Sequence, residues 1–191
     1  MTREEMVTAA CALLQARRTG ARLFLAIDGA GGAGKSTLAH GIEAAFAGCV
    51  SIVRCDDFYR SLHDAQLTPG EAYERCFDWR RLSDEALMPL HAGKIARYRR
   101  YDWTSDRLAD SIEVEPREIV IVEGVLSMRP ELRALMDLAI LIETPRDERI
   151  RRMTARAQPS TSWMDQWLAA EDWYLANVAP HRSADLILAG I

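Results

Sequence analysis

The run Gly29-Ala30-Gly31-Gly32-Ala33-Gly34-Lys35-Ser36 constrains this chain more than any other segment. It fits G-x-x-x-x-G-K-[ST], and it lies between the apolar run Leu23 to Ile27 and a helical pattern over Ser36 to Ala47. With 11 glycines and two lysines in 191 residues, an accidental match has a probability on the order of one in a thousand. The glycines permit a tight ring whose amides converge on phosphate oxygens, and the helix that follows adds its positive N-terminus. Lys35 reaches toward the β- and γ-phosphates of a nucleotide, and the Ser36 hydroxyl suits Mg²⁺.

The rest of the chain supplies a fold in which such a loop works. Leu23 to Ile27, Val50 to Val53, Ile119 to Val122, Leu138 to Ile142 and Ala184 to Leu188 are short, continuous apolar runs, as expected of strands buried on both faces of a parallel sheet. Helical patterns alternate with them at Ser36 to Ala47, Glu131 to Met136, Arg146 to Arg156 and Ser162 to Asn177. This is the order of an α/β doubly wound fold with a mainly parallel five-stranded sheet flanked by helices. An extra amphipathic helix is expected within residues 1–20, because Met6, Ala9, Ala10, Leu13 and Leu14 fall on one face. Residues 61–116 break the alternation with a stretch rich in Arg, Asp and aromatics. It reads as an inserted substrate-side region with a helix near Ser83 to His91 and short strands near Ile95 to Tyr101.

One domain spanning residues 1–191 accounts for the length, and 49% apolar residues suffice for a full core. A net charge of −4 gives no reason to expect capture of nucleic acid. No apolar run approaches the roughly 20 residues of a spanning helix, so no membrane partner is expected and a cytoplasmic location is the default. Cys11, Cys49, Cys55 and Cys76 lack C-x-x-C spacing and read as free thiols. The four histidines show no zinc-site spacing, and Trp163 and Trp167, four apart on a helical stretch, read as core or dimer contacts. Guanine recognition by [NT]-K-x-D is excluded, since Lys94 is flanked by Gly93 and Ile95 and Lys35 lies inside the loop.

Two acidic sites follow strands. Asp56-Asp57 comes after the second and Glu123 after the third, which places them at the carboxyl ends that form the ligand crevice of open α/β sheets. Successive side chains of extended backbone point apart, so only one of Asp56 and Asp57 is expected to face the transferred phosphate. Arg149, Arg152 and Arg156 recur at i, i+3 and i+7, on one face of a helix.

These blocks, with Asp56-Asp57-Phe58-Tyr59-Arg60, Phe77-Asp78, Tyr101-Asp102-Trp103 and Val122-Glu123-Gly124-Val125, resemble the uridine kinase and phosphoribulokinase group of P-loop kinases over about Arg22 to Leu188. The resemblance implies a three-layer P-loop NTPase fold and ATP-dependent phosphorylation of an alcohol, with a nucleoside such as uridine or cytidine as leading acceptor and pantothenate, a sugar or glycerate as alternatives; from a different class, the alternative is a nucleotide-dependent switch or binding protein with no acceptor. It implies ATP and Mg²⁺ as cofactors, with Gly29, Gly31, Gly32, Ala33, Gly34, Lys35, Ser36 and Thr37 around the nucleotide and Ser36, Glu123 and Asp56 around the metal. It implies catalytic roles for Asp56, Lys35 and Arg156, the first accepting the hydroxyl proton. Tyr59, Phe77, Asp78, Tyr101 and Arg149 would meet the substrate, residues 146–161 would form a lid, and homo-oligomers are common among such proteins.

The match departs from the family in three places. Arg156-Ala157-Gln158-Pro159 stands where Arg-Asp often begins the lid. Asp106 stands where well-studied uridine-cytidine kinases hold a base-reading histidine, and an aspartate accepts where a histidine also donates. The sequence ends at Ile191, soon after the last strand, so much of the usual adenine-side loop and final helix is expected to be missing.

Overall fold

A computed structural model describes residues 1–60, 67–156 and 162–190, with Arg156 and residues 162–164 described by backbone alone. Five parallel strands form the central sheet: β1 (Leu23–Asp28), β2 (Val50–Arg54), β5 (Ile119–Glu123), β6 (Leu138–Glu143) and β7 (Leu186–Ala189). Their spatial order is β2-β5-β1-β6-β7, which puts β1 and its following loop at the centre. Leu23 is aligned with Ile119, Leu25 with Leu138 and Val50 with Ile119. β1 and β5 are buried along their whole length, which is why they read as unbroken apolar runs.

Alternate residues of these strands feed two separate cores. Leu25, Ile27, Ile121 and Ile140 face α2 (Lys35–Ala45) and the N-terminal helix α1 (Arg3–Arg17), whose Met6, Ala10 and Leu14 are buried there. A capping box starts α1: Thr2 accepts from the Glu5 amide, and Glu5 accepts from the Thr2 amide at 2.8 Å. On the other face Phe24, Ala26, Val122 and Leu141 pack against the region between β2 and β5 and against α8 (Ser162–Asn177).

The region between β2 and β5 contains α3 (Pro69–Arg75) and a helix in three consecutive pieces, α4 (Trp79–Arg81), a π-helical stretch Leu82–Leu87 and α5 (Met88–His91). An antiparallel hairpin follows, β3 (Ala96–Asp102) with β4 (Arg107–Val114). The helix therefore begins four residues before the expected Ser83, and the second strand of the hairpin was not expected at all. Only Val114 of β4 is buried, so its sequence lacks the apolar alternation that marks a strand. Short α6 (Pro130–Arg133) and α7 (Arg146–Arg156) complete the fold. Among the described residues no helix is long and apolar enough to cross a membrane, and the four cysteines are free thiols.

Asp28, the last residue of β1, is fully buried and ties three distant segments together. Oδ1 accepts from the Gly29 amide at 2.6 Å, while Oδ2 accepts from the Met128 amide at 2.7 Å and from the Tyr174 hydroxyl of α8 at 2.8 Å. Burial pushes its carboxyl up, and those three donors together with Lys35 oppose the shift. Beside it, Gly124 follows β5 with φ +151, and a Cβ there would stand 2.4 Å from Cβ of Cys55. Only glycine accommodates both the backbone and the approach.

Two predictions follow from these contacts. Tyr174→Phe removes one donor from a buried carboxylate and should cost about 1–3 kcal/mol in a denaturant titration, with α8 losing amide protection before the sheet does. Gly124→Ala should cost at least about 2 kcal/mol through backbone strain and the clash with Cys55, and Cys55→Gly in the same chain should recover part of that loss.

Candidate active site

The carboxyl ends of β1, β2 and β5 enclose a cleft of about 310 Å³. Gly31, Gly32, Lys35 and Ser36 form one wall, Asp56, Glu123, Gly124 and Val125 the floor, and Tyr59, Trp103, Met153, Trp167 and Glu171 the remainder. The loop turns through positive φ at Gly29, Gly32 and Gly34. At Gly32 the reason is also packing: a Cβ would stand 2.6 Å from the Arg149 carbonyl, so α7 lies directly on the loop. Thr144 Oγ1 donates to the Ala33 carbonyl at 3.1 Å and Arg152 Nη1 to the Gly32 carbonyl at 3.2 Å, which fixes the loop to β6 and α7. Thr37 is half-buried in the first turn of α2 and Ala33 is buried.

Lys35 is buried, and its Nζ donates to the carbonyls of Gly29 and Ala30 at 2.7 and 3.0 Å. The ammonium is therefore held across the mouth of the loop. Asp56 sits in a single 3-10 turn, Cys55–Phe58, that ends β2. It is open to the cleft yet ringed by protein, and desolvation pushes its carboxyl up while Lys35 and Arg54 pull it down. Asp57 points elsewhere. Its Oδ2 accepts from the Tyr98 hydroxyl of the hairpin at 3.2 Å, and its carbonyl accepts from Arg81 Nη2 at 2.7 Å.

Ser36 Oγ donates to Glu123 Oε1 at 3.0 Å, and Arg54 Nε lies 4.0 Å from the same oxygen. Burial raises the Glu123 carboxyl, and neighbouring Asp56 raises it further. A hydroxyl joined to one carboxylate with a second beside it is an all-oxygen donor set that suits Mg²⁺, which keeps several waters when bound. The residues present therefore fit the ion expected from the sequence.

The sequence-predicted substrate residues divide into two groups. Tyr59 lines the cleft, its ring 5.1 Å from Trp103 and 4.9 Å from Trp167, and its buried hydroxyl has no hydrogen-bond partner among the described residues. Phe77 and Tyr101 do not line it: Phe77 lies behind Tyr59 in the core, paired with it through a backbone bridge, and the Tyr101 hydroxyl donates to Asp106. Asp78 does not line it either. Oδ1 caps α4 by accepting the Arg81 amide at 3.2 Å, and Oδ2 pairs with Arg60 at 2.5 Å. An acidic residue before a helix is a natural N-cap, and this local use has claimed the side chain.

Arg149 stands apart from the cleft. It is buried, with Nη1 3.4 Å from Glu171 Oε2, and it borders a second cavity of about 550 Å³ on the far side of the loop with Ala30, Thr144, His181 and Gly190. Its main charge partner is a protein carboxylate rather than open solvent. The Arg156 side chain, and with it the end of the 146–161 segment, lies outside the described residues.

Sequence reasoning missed Asp28 and Glu171. Asp28 was recognisable only as a charge closing an apolar strand. Glu171 is 140 residues from the glycine whose amide it accepts, at 2.9 Å, and no spacing announces it. Trp167 packs against the core as expected, and it also forms part of the cleft wall.

Known proteins are similar to this chain in sequence and fold. The model of the Phosphoribulokinase / Uridine kinase family matches residues 24–190. A uridine kinase of Clostridium perfringens is 32% identical over 142 residues, covering 70% of this chain and 67% of that protein. A uridine kinase of Clostridium botulinum is 30% identical over 184 residues, 87% of each. The solved structure of a possible uridine kinase from Bacillus stearothermophilus superposes with a TM-score of 0.80 over 98% of this chain and 100% of that one, at 23% identity, and so shares the fold. A central phosphate loop, a carboxylate at the end of β2 and a second at the end of β5, together with a family match over nearly the whole chain, show that it belongs to the phosphoribulokinase/uridine kinase family of ATP-dependent phosphotransferases.

Proposed function

We propose that the protein transfers the γ-phosphoryl group of ATP to a hydroxyl of a small metabolite, with the 5′-hydroxyl of a nucleoside such as uridine or cytidine as leading acceptor. The observation that carries this reading is the meeting of Asp56 with Lys35 and Ser36 in one cleft walled by Tyr59, Trp103 and Trp167. Aromatic faces suit a flat base or a sugar ring. Curated relatives bearing the name uridine kinase support the same acceptor.

In this reaction the acceptor oxygen forms a bond to Pγ as the bond from Pγ to the β,γ-bridging oxygen breaks. The electron pair of that bond leaves with ADP. Asp56 orients the hydroxyl and takes its proton late, as a loose transition state allows, before passing it to solvent. Lys35, held at the loop mouth, neutralises charge that builds on the transferred and leaving oxygens. Ser36, Glu123 and Asp56 would hold Mg²⁺, which would supply charge neutralisation to the phosphates.

A second acceptor class has one observation in its favour. Asp106, where related kinases read the base with a histidine, has φ +53 in the hairpin turn and accepts from Tyr101. A carboxylate engaged with the protein does not reproduce that histidine, so a non-nucleoside alcohol is the alternative.

The test is ATP-dependent phosphorylation with Mg²⁺ over a panel of nucleosides, sugars, pantothenate and glycerate, read by product mass. A uridine or cytidine monophosphate absent from the Lys35→Ala control is the expected product, and turnover of another alcohol alone would replace the acceptor. Asp56→Asn should lower kcat by about 10²–10⁴-fold with nucleotide affinity nearly unchanged, whereas Asp57→Asn should be mild. The reverse ranking would move the base to Asp57.

A further inference from the structure

Asp56 and Glu123 have roles in the transfer reaction, but the third described carboxylate of the cleft, Glu171, has none. Its burial is severe, at 1% exposure, and an unpaired carboxylate would not stay there. Oε1 accepts from the Gly31 amide at 2.9 Å, and Oε2 lies 3.4 Å from Arg149 Nη1. Trp167, one turn earlier on α8, also hydrogen-bonds to it, and Lys35 is the largest favourable charge nearby.

The Gly31 amide belongs to the loop whose amides serve phosphate oxygens. Its place within that loop is informative. Gly31 faces the cleft together with Asp56, whereas Ala30 and Arg149 border the cavity on the other side. A phosphoryl group lined up with an alcohol at Asp56 therefore lies at the Gly31 edge of the loop, and the remainder of the donor extends away from it. Space at this edge is short: a Cβ built on Gly31 would meet Met153 Sδ at 2.9 Å and Glu171 Oε1 at 3.0 Å. One amide hydrogen cannot serve a carboxylate and a phosphate oxygen together, and the two anions repel.

We propose that Glu171 is a gate operated by the terminal phosphate of the donor: its carboxylate holds the Gly31 amide, and a γ-phosphate must take that hydrogen bond and displace it. A diphosphate lacks the displacing group and leaves Glu171 where it is. The gate thus weakens binding of the triphosphate alone and resets itself once the γ-phosphoryl group has been transferred. The inference rests on the phosphotransferase reading above for the placement of the γ-phosphate.

The experiment titrates the full chain, with Mg²⁺ present, against ADP and against the β,γ-imido analogue of ATP. Wild type, Glu171→Gln and Glu171→Ala are compared by calorimetry. Both variants should bind the analogue at least about fivefold more tightly and ADP within about twofold of wild type, because the lost competition concerns a charge-assisted hydrogen bond. In ¹⁵N spectra the Gly31 amide resonance of the wild type should move with the analogue and stay with ADP. Unchanged or weaker binding of the analogue overturns the gate, as does an equal change for both nucleotides. The near-isosteric glutamine carries the test if the alanine variant does not fold. A wild type that binds neither nucleotide overturns the gate and the phosphate-loop reading together. If both nucleotides bind but no alcohol in the panel is phosphorylated, only the acceptor reading fails, and the ratio of affinities still judges the gate.

Discussion

A carboxylate with no access to water organises this molecule. Asp28 closes β1, and each of its three hydrogen bonds goes to a different part of the chain: the phosphate loop, the segment after β5, and α8. Burying a charge of this kind is tolerable only when donors surround it, so those segments are held to the positions that supply the donors. The loop's entry angle, the path from Glu123 to Met128, and the approach of α8 to the sheet are consequently one geometric problem. Lys35 lies close enough to moderate the charge, which links the anchor to the chemistry.

The cleft above that anchor is dominated by acids. Asp56, Glu123 and Glu171 converge on it, and Lys35 is the principal opposing charge for each. Desolvation raises all three carboxyls, so the protein alone holds its negative charge at a cost. In the proposed reaction a divalent cation at Glu123 and Asp56 would offset that cost.

The sheet and the loop were legible because their signals are local. Five apolar runs mark strands buried on both faces, and G-x-x-x-x-G-K-S carries its own chemistry wherever it joins a strand to a helix. Backbone alternation was expected to separate Asp56 from Asp57, but both sit in a 3-10 turn rather than extended chain, and there the second is bonded to Tyr98. Features that depend on distant partners were not legible. β4 is exposed along most of its length and lacks a pattern, and Asp78 has the same residue type whether it meets a ligand or caps α4. Arg149 follows a helical spacing that suits a lid, yet a glutamate 22 residues later claims it. In each case tertiary context, not residue type, decides which partner a polar group serves.

The hydrogen bonds from α8 also bear on when the site comes into being. Tyr174 and Asp28 are separated by 146 residues, and Glu171 and Gly31 by 140. Contacts of such span form late, because the intervening chain must first be brought together at an entropic cost. On the ribosome β1, the loop and α2 emerge long before α8, so a half-made chain carries the glycine-rich loop and Asp28 without the Tyr174 donor or the Glu171 carboxylate. The full set of contacts around the loop is thereby completed only when α8 docks.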